Sequence, residues 1–260
     1  MKVICDTSVW YFLSDNPNVQ LKGIDLIATH NNFIELVYSP KIHNNFKKYK
    51  KACEALIKFT NPSKNIYENP ILYTIHLIDP DFIDTIYNIS YSHQLYTEVL
   101  RISKLLDNYN IPQDLMENAK SIIYSRKDDN IFDSDNAYLS KMKSKFKIPK
   151  NERKLYASKN YERLFREFFL KNIELYPNGN SFNYNYNIWN EIILFSKVHS
   201  LYYYKLEVDK TMKIDKNDLI DLYNLLYTNQ QSLYWTTDDR WLNLIKEAKM
   251  EKYLFRPDSF

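Results

Sequence analysis

The sequence predicts an α/β protein with a mainly parallel sheet, interrupted by a large helical insertion. Three observations lead there. A short apolar run ends at an acid, Asp6, and passes directly into a helical pattern. The same strand–acid–helix order returns around Trp235 and Asp238. Between them, over 61–187, amphipathic helical stretches take over, which divides the chain into a core of 1–60 plus 188–260 and an insertion of 61–187. Strands that alternate with helices imply parallel pairing, because each crossover helix returns the chain to the same end of the sheet.

The elements follow from local pattern. Val3-Ile4-Cys5 is a β-rich run stopped by Asp6-Thr7-Ser8, after which Val9, Trp10, Phe12 and Leu13 recur at helical spacing. A loop around Asn16-Pro17-Asn18 leads to a weak helix over 24–29, and Phe33-Ile34-Glu35-Leu36-Val37-Tyr38 reads as a second strand. Ser39-Pro40 then opens a helix, since serine caps well and proline suits the first helical position. That helix runs through Ile42, Phe46 and Tyr49 to Leu56 and Phe59.

Helical patterns at 82–91, 95–106, 112–124 and 161–175 make up the insertion. Later, 188–207 reads as one long helix, and Lys216-Asn217-Asp218 opens another that continues through Leu226. Ser232-Leu233-Tyr234-Trp235 is a strand, Thr236-Thr237-Asp238-Asp239 a polar turn, 241–248 a helix, and Tyr253-Leu254-Phe255 a last short strand.

Composition removes several function classes. With 260 residues, 45% of them hydrophobic, the chain can bury a substantial core. No run approaches the about 18 consecutive apolar residues of a membrane span. The N-terminus reaches Asp6 before a signal-peptide core could form, so a cytoplasmic protein without a membrane partner is expected. Cys5 and Cys53 cannot build a disulfide framework, and five scattered histidines lack the i, i+4 pairing of a zinc site. Two glycines, Gly23 and Gly179, are too few for a Walker loop or a dinucleotide fingerprint. Phosphate chemistry in this chain therefore has to run through side chains or metal ions.

The acids supply that chemistry. In an open parallel sheet ligands sit outside the carboxyl ends of the strands. Asp6 and either Asp238 or Asp239 emerge at that edge, and Asp218 and Asp221 share a helix face at i, i+3. Clustered carboxylates repel unless a cation neutralises them, and hard oxygen ligands suit Mg²⁺ or Mn²⁺. Such an ion acidifies water for attack on a phosphodiester and stabilises the leaving oxygen. Thr7, Ser8, Thr236 and Thr237 are placed to support the carboxylates by hydrogen bonds. Taken singly, each aspartate also reads as an ordinary helix cap. Their joint order carries the argument.

That order resembles the PIN-domain nuclease family. The matching residues are Val3-Ile4-Cys5-Asp6-Thr7-Ser8, Leu36-Val37-Tyr38-Ser39-Pro40, Asn217-Asp218-Leu219-Ile220-Asp221-Leu222, and Tyr234-Trp235-Thr236-Thr237-Asp238-Asp239-Arg240-Trp241. The resemblance implies a three-layer α/β/α fold and Mg²⁺- or Mn²⁺-dependent endonuclease activity on single-stranded RNA, with single-stranded DNA as an alternative substrate. It further implies Asp6, Asp221 and Asp238 as metal ligands, with Asp218 in place of Asp221, or Asp239 in place of Asp238, as alternative registers. Where the family carries a glutamate after the Ser-Pro helix start, this chain has Asn45, which offers a carbonyl oxygen but no charge. The resemblance thus leaves the site one charge short, and a weakened or inactive binding module is the alternative reading.

Two basic runs are candidate phosphate contacts. Lys47, Lys48, Lys50 and Lys51 follow Asn45 on the same helix, and seven basic residues lie within 141–154. Either run also reads as a solvated helix face. The insertion is a candidate surface for a protein partner, and the oligomeric state is left open.

Overall fold

The computed structural model describes residues 1–38, 45–78, 89–105, 163, 188–208, 212–213 and 216–257. Their centre is a three-stranded, wholly parallel sheet in the order β2-β1-β3, giving a mixed α/β chain. Strand β1 (Lys2–Cys5) lies in the middle, paired on one side with β2 (Asp25–Ile27) and on the other with β3 (Ser232–Trp235). Val3 sits opposite Leu26 and Leu233, and Cys5 opposite Trp235. The chain thus leaves β1 toward one edge and returns on the other side of it. In open parallel sheets ligands bind at such a reversal of strand order, beyond the carboxyl ends of the strands.

Alternate side chains of the strands enter two separate hydrophobic clusters, as the period of two requires. Val3, Cys5, Leu26 and Trp235 belong to a cluster with α1 (Thr7–Asp15), α2 (His30–Tyr38), α3 (Phe46–Phe59) and α5 (Ile89–Lys104). Ile4, Ile27 and Tyr234 belong to the other, with α4 (Pro70–Ile78), α7 (Ile193–Val208), α8 (Lys216–Asn224) and α9 (Asp239–Glu247). Helices α4 and α5, which fall within the stretch read as an insertion, thus pack into the same cores as the strands.

Two elements near the N-terminus differ from the sequence reading. The segment over 24–29 is not a weak helix: Asp25–Ile27 pairs as β2, introduced by Gly23 at a φ of 73°. The run Phe33–Tyr38 is not a strand but the body of α2. Its helical start is written just upstream, where Asn32 Oδ1 accepts from Thr29 N at 2.9 Å and Thr29 Oγ1 accepts from Asn32 N at 3.5 Å. This is a capping box with asparagine in the glutamate position. Phe33, Leu36 and Val37 then recur at i, i+3, i+4 and are buried.

Other differences are of boundary. Helix α3 begins at Phe46, capped by Asn45, and the Ser39-Pro40 start lies outside the described residues. Residues 188–207 form two helices, α6 (Ile188–Glu191) and α7, interrupted at Ile192. Tyr253-Leu254-Phe255 contributes a single parallel bridge, Leu254 to Tyr234, instead of a strand. The helices read at 112–124 and 161–175, and the basic run over 141–154, lie outside the described residues. Among the described residues no helix is long and apolar enough to cross a membrane.

Leu36 is fully buried on α2. Leu36→Ala is expected to destabilise the protein by about 2–5 kcal/mol, read as a lowered urea midpoint with an unchanged transition slope. A solvent-exposed position would show almost none of this.

Candidate metal centre

The site grows from the end of β1. Asp6 is the first residue past the strand and the N-cap of α1, with Oδ1 accepting from Thr7 N at 2.8 Å. Its other oxygen, Oδ2, accepts from Ser8 Oγ and from Thr236 Oγ1, both at 2.7 Å. Those two hydroxyls in turn accept backbone N–H groups of the turn after β3: Thr237 N reaches Ser8 Oγ at 3.0 Å, and Asp238 N reaches Thr236 Oγ1 at 3.1 Å. The two strand ends are therefore tied together through Asp6. Its backbone N–H continues the ladder to Trp235 O at 2.8 Å.

Two further carboxylates converge on Asp6. Carboxylate oxygens of Asp6, Glu35 and Asp221 lie within 4.8 Å of one another. Glu35 comes from α2, whose polar face aligns Asn31, Asn32 and Glu35 at i, i+1 and i+4. Thr7 Oγ1 donates to Glu35 Oε2 and accepts from Asn32 Nδ2 at 3.1 Å. Asn31 Nδ2 donates to Ile220 O at 3.2 Å, which joins α2 to α8. Asp221 comes from α8, and Trp241 Nε1 of α9 donates to its Oδ2 at 2.8 Å. One turn on, Asn224 accepts from Thr29 Oγ1 at 2.8 Å and donates to Cys5 O at 3.4 Å. The helices carrying Glu35 and Asp221 are thus both braced on the end of the sheet.

The electrostatics are those of a site short of positive charge. Burial raises the pKa of Asp6, opposed by its donors Ser8, Thr236 and Thr7, with the charge of Asp238 adding to the rise. Burial and then the Asp6 charge push Glu35 up to about 7, against the hydroxyl of Thr7. Asp221 is pushed up to about 9 by burial, then by Asp6 and Glu35, with Trp241 opposing. Carboxylates this close resist full ionisation unless a cation offsets their charge. Hard carboxylate oxygens, without histidine or thiolate, fit Mg²⁺ or Mn²⁺. The residues present therefore suit such an ion.

The remaining sequence candidates divide. Asp238 caps α9, accepting from Arg240 N at 2.8 Å, and its charge reaches both Asp6 and Asp221. Asp239 is exposed in the first turn of α9. Asp218 is buried outside the cluster, where it accepts from Tyr202 Oη at 2.6 Å and pairs with Arg240 at 2.6 Å. Asn45 is exposed at the start of α3, its Oδ1 accepting from Lys48 N at 3.4 Å, and it is no part of the carboxylate group. Thr237 contributes its backbone N–H to the site. Of the lysines on α3, Lys50 pairs with Glu54 at 2.6 Å, whereas Lys48 lies 5.1 Å from the ring of Tyr11. Tyr11 neighbours Glu35 closely enough to be affected by its charge. Lys47 and Lys51 are exposed.

Sequence reasoning missed Glu35 because it placed that residue in a strand. The Thr29–Asn32 cap and the spacing of Phe33, Leu36 and Val37 were the signals that place it on a helix. Trp241, which orients Asp221, was quoted only as a neighbour of the acids, and Asn224 braces the strand end from one turn beyond Asp221. Compared with known proteins, the chain matches no family model, no curated protein and no solved structure.

The raised carboxylates set a sign for stability. In the folded, metal-free protein Asp221 and Glu35 hold protons that the unfolded chain has released, so stability falls as pH rises toward their folded values. The buried histidines His30 and His199, lowered to about 4 and about 3, act in the opposite sense only below the ordinary histidine range. In chelator, the melting temperature is expected to fall from pH 6.5 to pH 8.5, and Mn²⁺ to restore it most at the higher pH. A melting temperature that rises over this range in chelator contradicts the assignment.

Proposed function

We propose that the chain is a metal-dependent endoribonuclease that cleaves single-stranded RNA, built as a PIN-like, three-layer α/β/α protein. The observation that carries this reading is the convergence of Asp6, Glu35 and Asp221 within 4.8 Å, from a strand end and two helices, at the point where the strand order reverses. The two hydrophobic clusters fed by alternate strand residues support the layered architecture. The motif order quoted from the sequence supports the family, with the second acid supplied by Glu35 instead of the Asn45 position. Glu35 supplies a charge of the kind whose absence at Asn45 suggested the alternative, a weakened or inactive binding module.

In this reading Asp6, Glu35 and Asp221 hold Mg²⁺ or Mn²⁺, with Asp238 adding negative charge at the rim. The ion when bound supplies Lewis-acid stabilisation of the charge that develops on a phosphodiester. The chain's own groups prepare the site. Three donors fix both Asp6 oxygens, so this carboxylate presents one orientation. Thr7 fixes Glu35, and Trp241 fixes Asp221. A cytoplasmic setting and a protein partner for the segment over 61–187 accompany the proposal.

Incubation of the purified chain with single-stranded RNA tests it. Cleavage is expected with Mn²⁺ and none with chelator, and Asp6→Asn is expected to lower the rate by about 10²-fold or more, the scale of removing a key electrostatic group. Equal cleavage by Asp6→Asn, or none by the wild type on RNA or single-stranded DNA, sinks the reading.

A further inference from the structure

Three clustered carboxylates repel a polyanionic strand, so binding requires positive groups beside them. Arg240, on α9, is a cation paired with Asp218 of α8, the helix that also carries Asp221. Its Nη1 pairs with Asp218 Oδ1 at 2.6 Å, yet 49% of its side chain is exposed against 3% for Asp218. The second Asp218 oxygen accepts from Tyr202 Oη at 2.6 Å, which locks the carboxylate in place. The guanidinium also lies 5.4 Å from the Trp241 ring centre and 5.9 Å from that of Tyr202. An ion pair and two aromatic faces thus fix the plane of the group.

Both neighbours of Arg240 along the site lead to the carboxylates. Trp241 donates to Asp221, and the Arg240 backbone N–H donates to Asp238. A guanidinium carries five donors in a rigid fork that matches phosphate oxygens. The Asp218 contact engages Nη1, and half the side chain faces outward. We infer that Arg240 receives a backbone phosphate of the single-stranded nucleic acid beside the bond acted on at the Asp6–Glu35–Asp221 cluster, held for that contact by Asp218 and Tyr202. This assignment rests on the nuclease reading above. Asp218 is then a positioning residue, not a metal ligand.

The rival role for Arg240 is a strut that ties α8 to α9 and so supports Asp221. The two roles differ in what they move. With a labelled oligouridylate and the full chain, Arg240→Ala is expected to raise KM about tenfold, the worth of one charge-assisted hydrogen bond, while Mn²⁺ affinity stays unchanged. The slope of log affinity against log salt should shrink by about 0.7, the value for one phosphate contact on a single strand. Arg240→Lys should retain the slope, and so should Asp218→Asn, which breaks the ion pair but keeps the cation. If Arg240→Ala folds poorly, Arg240→Gln against Arg240→Lys gives the same comparison.

An unchanged KM and slope in Arg240→Ala overturns the assignment while leaving the nuclease reading intact. So does loss of Mn²⁺ affinity in both Arg240→Ala and Asp218→Asn with the slope retained, which is the signature of a strut. A wild-type chain that neither binds nor cleaves the oligonucleotide removes the nuclease reading and this assignment with it.

Discussion

Burying the Asp6 carboxylate at the end of the central strand is costly, and much of the surrounding structure compensates for that cost. Its two oxygens take three donors, from Thr7, Ser8 and Thr236. Those donors lie on α1 and on the turn after β3, so satisfying one buried charge joins residues 230 positions apart in sequence. The same constraint explains the polar turns that follow β1 and β3. Ser8 and Thr236 each donate to Asp6, while Ser8 accepts from Thr237 N of the opposite turn and Thr236 from Asp238 N of its own. Removing the carboxylate would leave both hydroxyls and the turn itself without their common acceptor.

Bringing Glu35 and Asp221 up to Asp6 works against stability in the metal-free state. Each is half-buried, each is raised well into or above the neutral range, and each has the Asp6 charge among its causes. A fold selected only for stability would separate these groups or pair them with a cation. Instead, Arg240 is held by Asp218, and among the described residues the hydrogen-bond donors to the cluster are neutral: Thr7, Ser8, Thr236 and Trp241. Negative charge concentrated at one point and positive charge kept at its edge suit an ion at the centre and an anionic strand alongside. The uncompensated centre is the feature that gives the proposed chemistry its place.

Much of this arrangement was legible in the sequence, and the failures have physical causes. Both acid-bearing turns, the strands before them and the helices after them were readable from short apolar runs that stop at Asp6 and at Thr236. The segment 33–38 was not, because a six-residue apolar and aromatic run satisfies strand and helix patterns alike. The deciding information lay upstream, in the Thr29–Asn32 cap. Misplacing that segment moved the expected second acid to Asn45, which is an exposed cap of α3. β2 escaped notice because three residues give too little periodicity to recognise, and its strand state is set by pairing with β1. The choice between Asp218 and Asp221 depends on a difference in helix facing of about a sixth of a turn, which the packing of Tyr202 and Trp241 resolves.

In the proposed function Glu35, brought in by α2, completes the carboxylate group that Asn45 leaves short. Calorimetric titration of Mn²⁺ into the wild type, Glu35→Gln and Asn45→Ala tests it most directly. The account predicts that Glu35→Gln weakens binding by roughly tenfold or more and that Asn45→Ala binds as the wild type does. Wild-type affinity in Glu35→Gln, or a loss confined to Asn45→Ala, would contradict it.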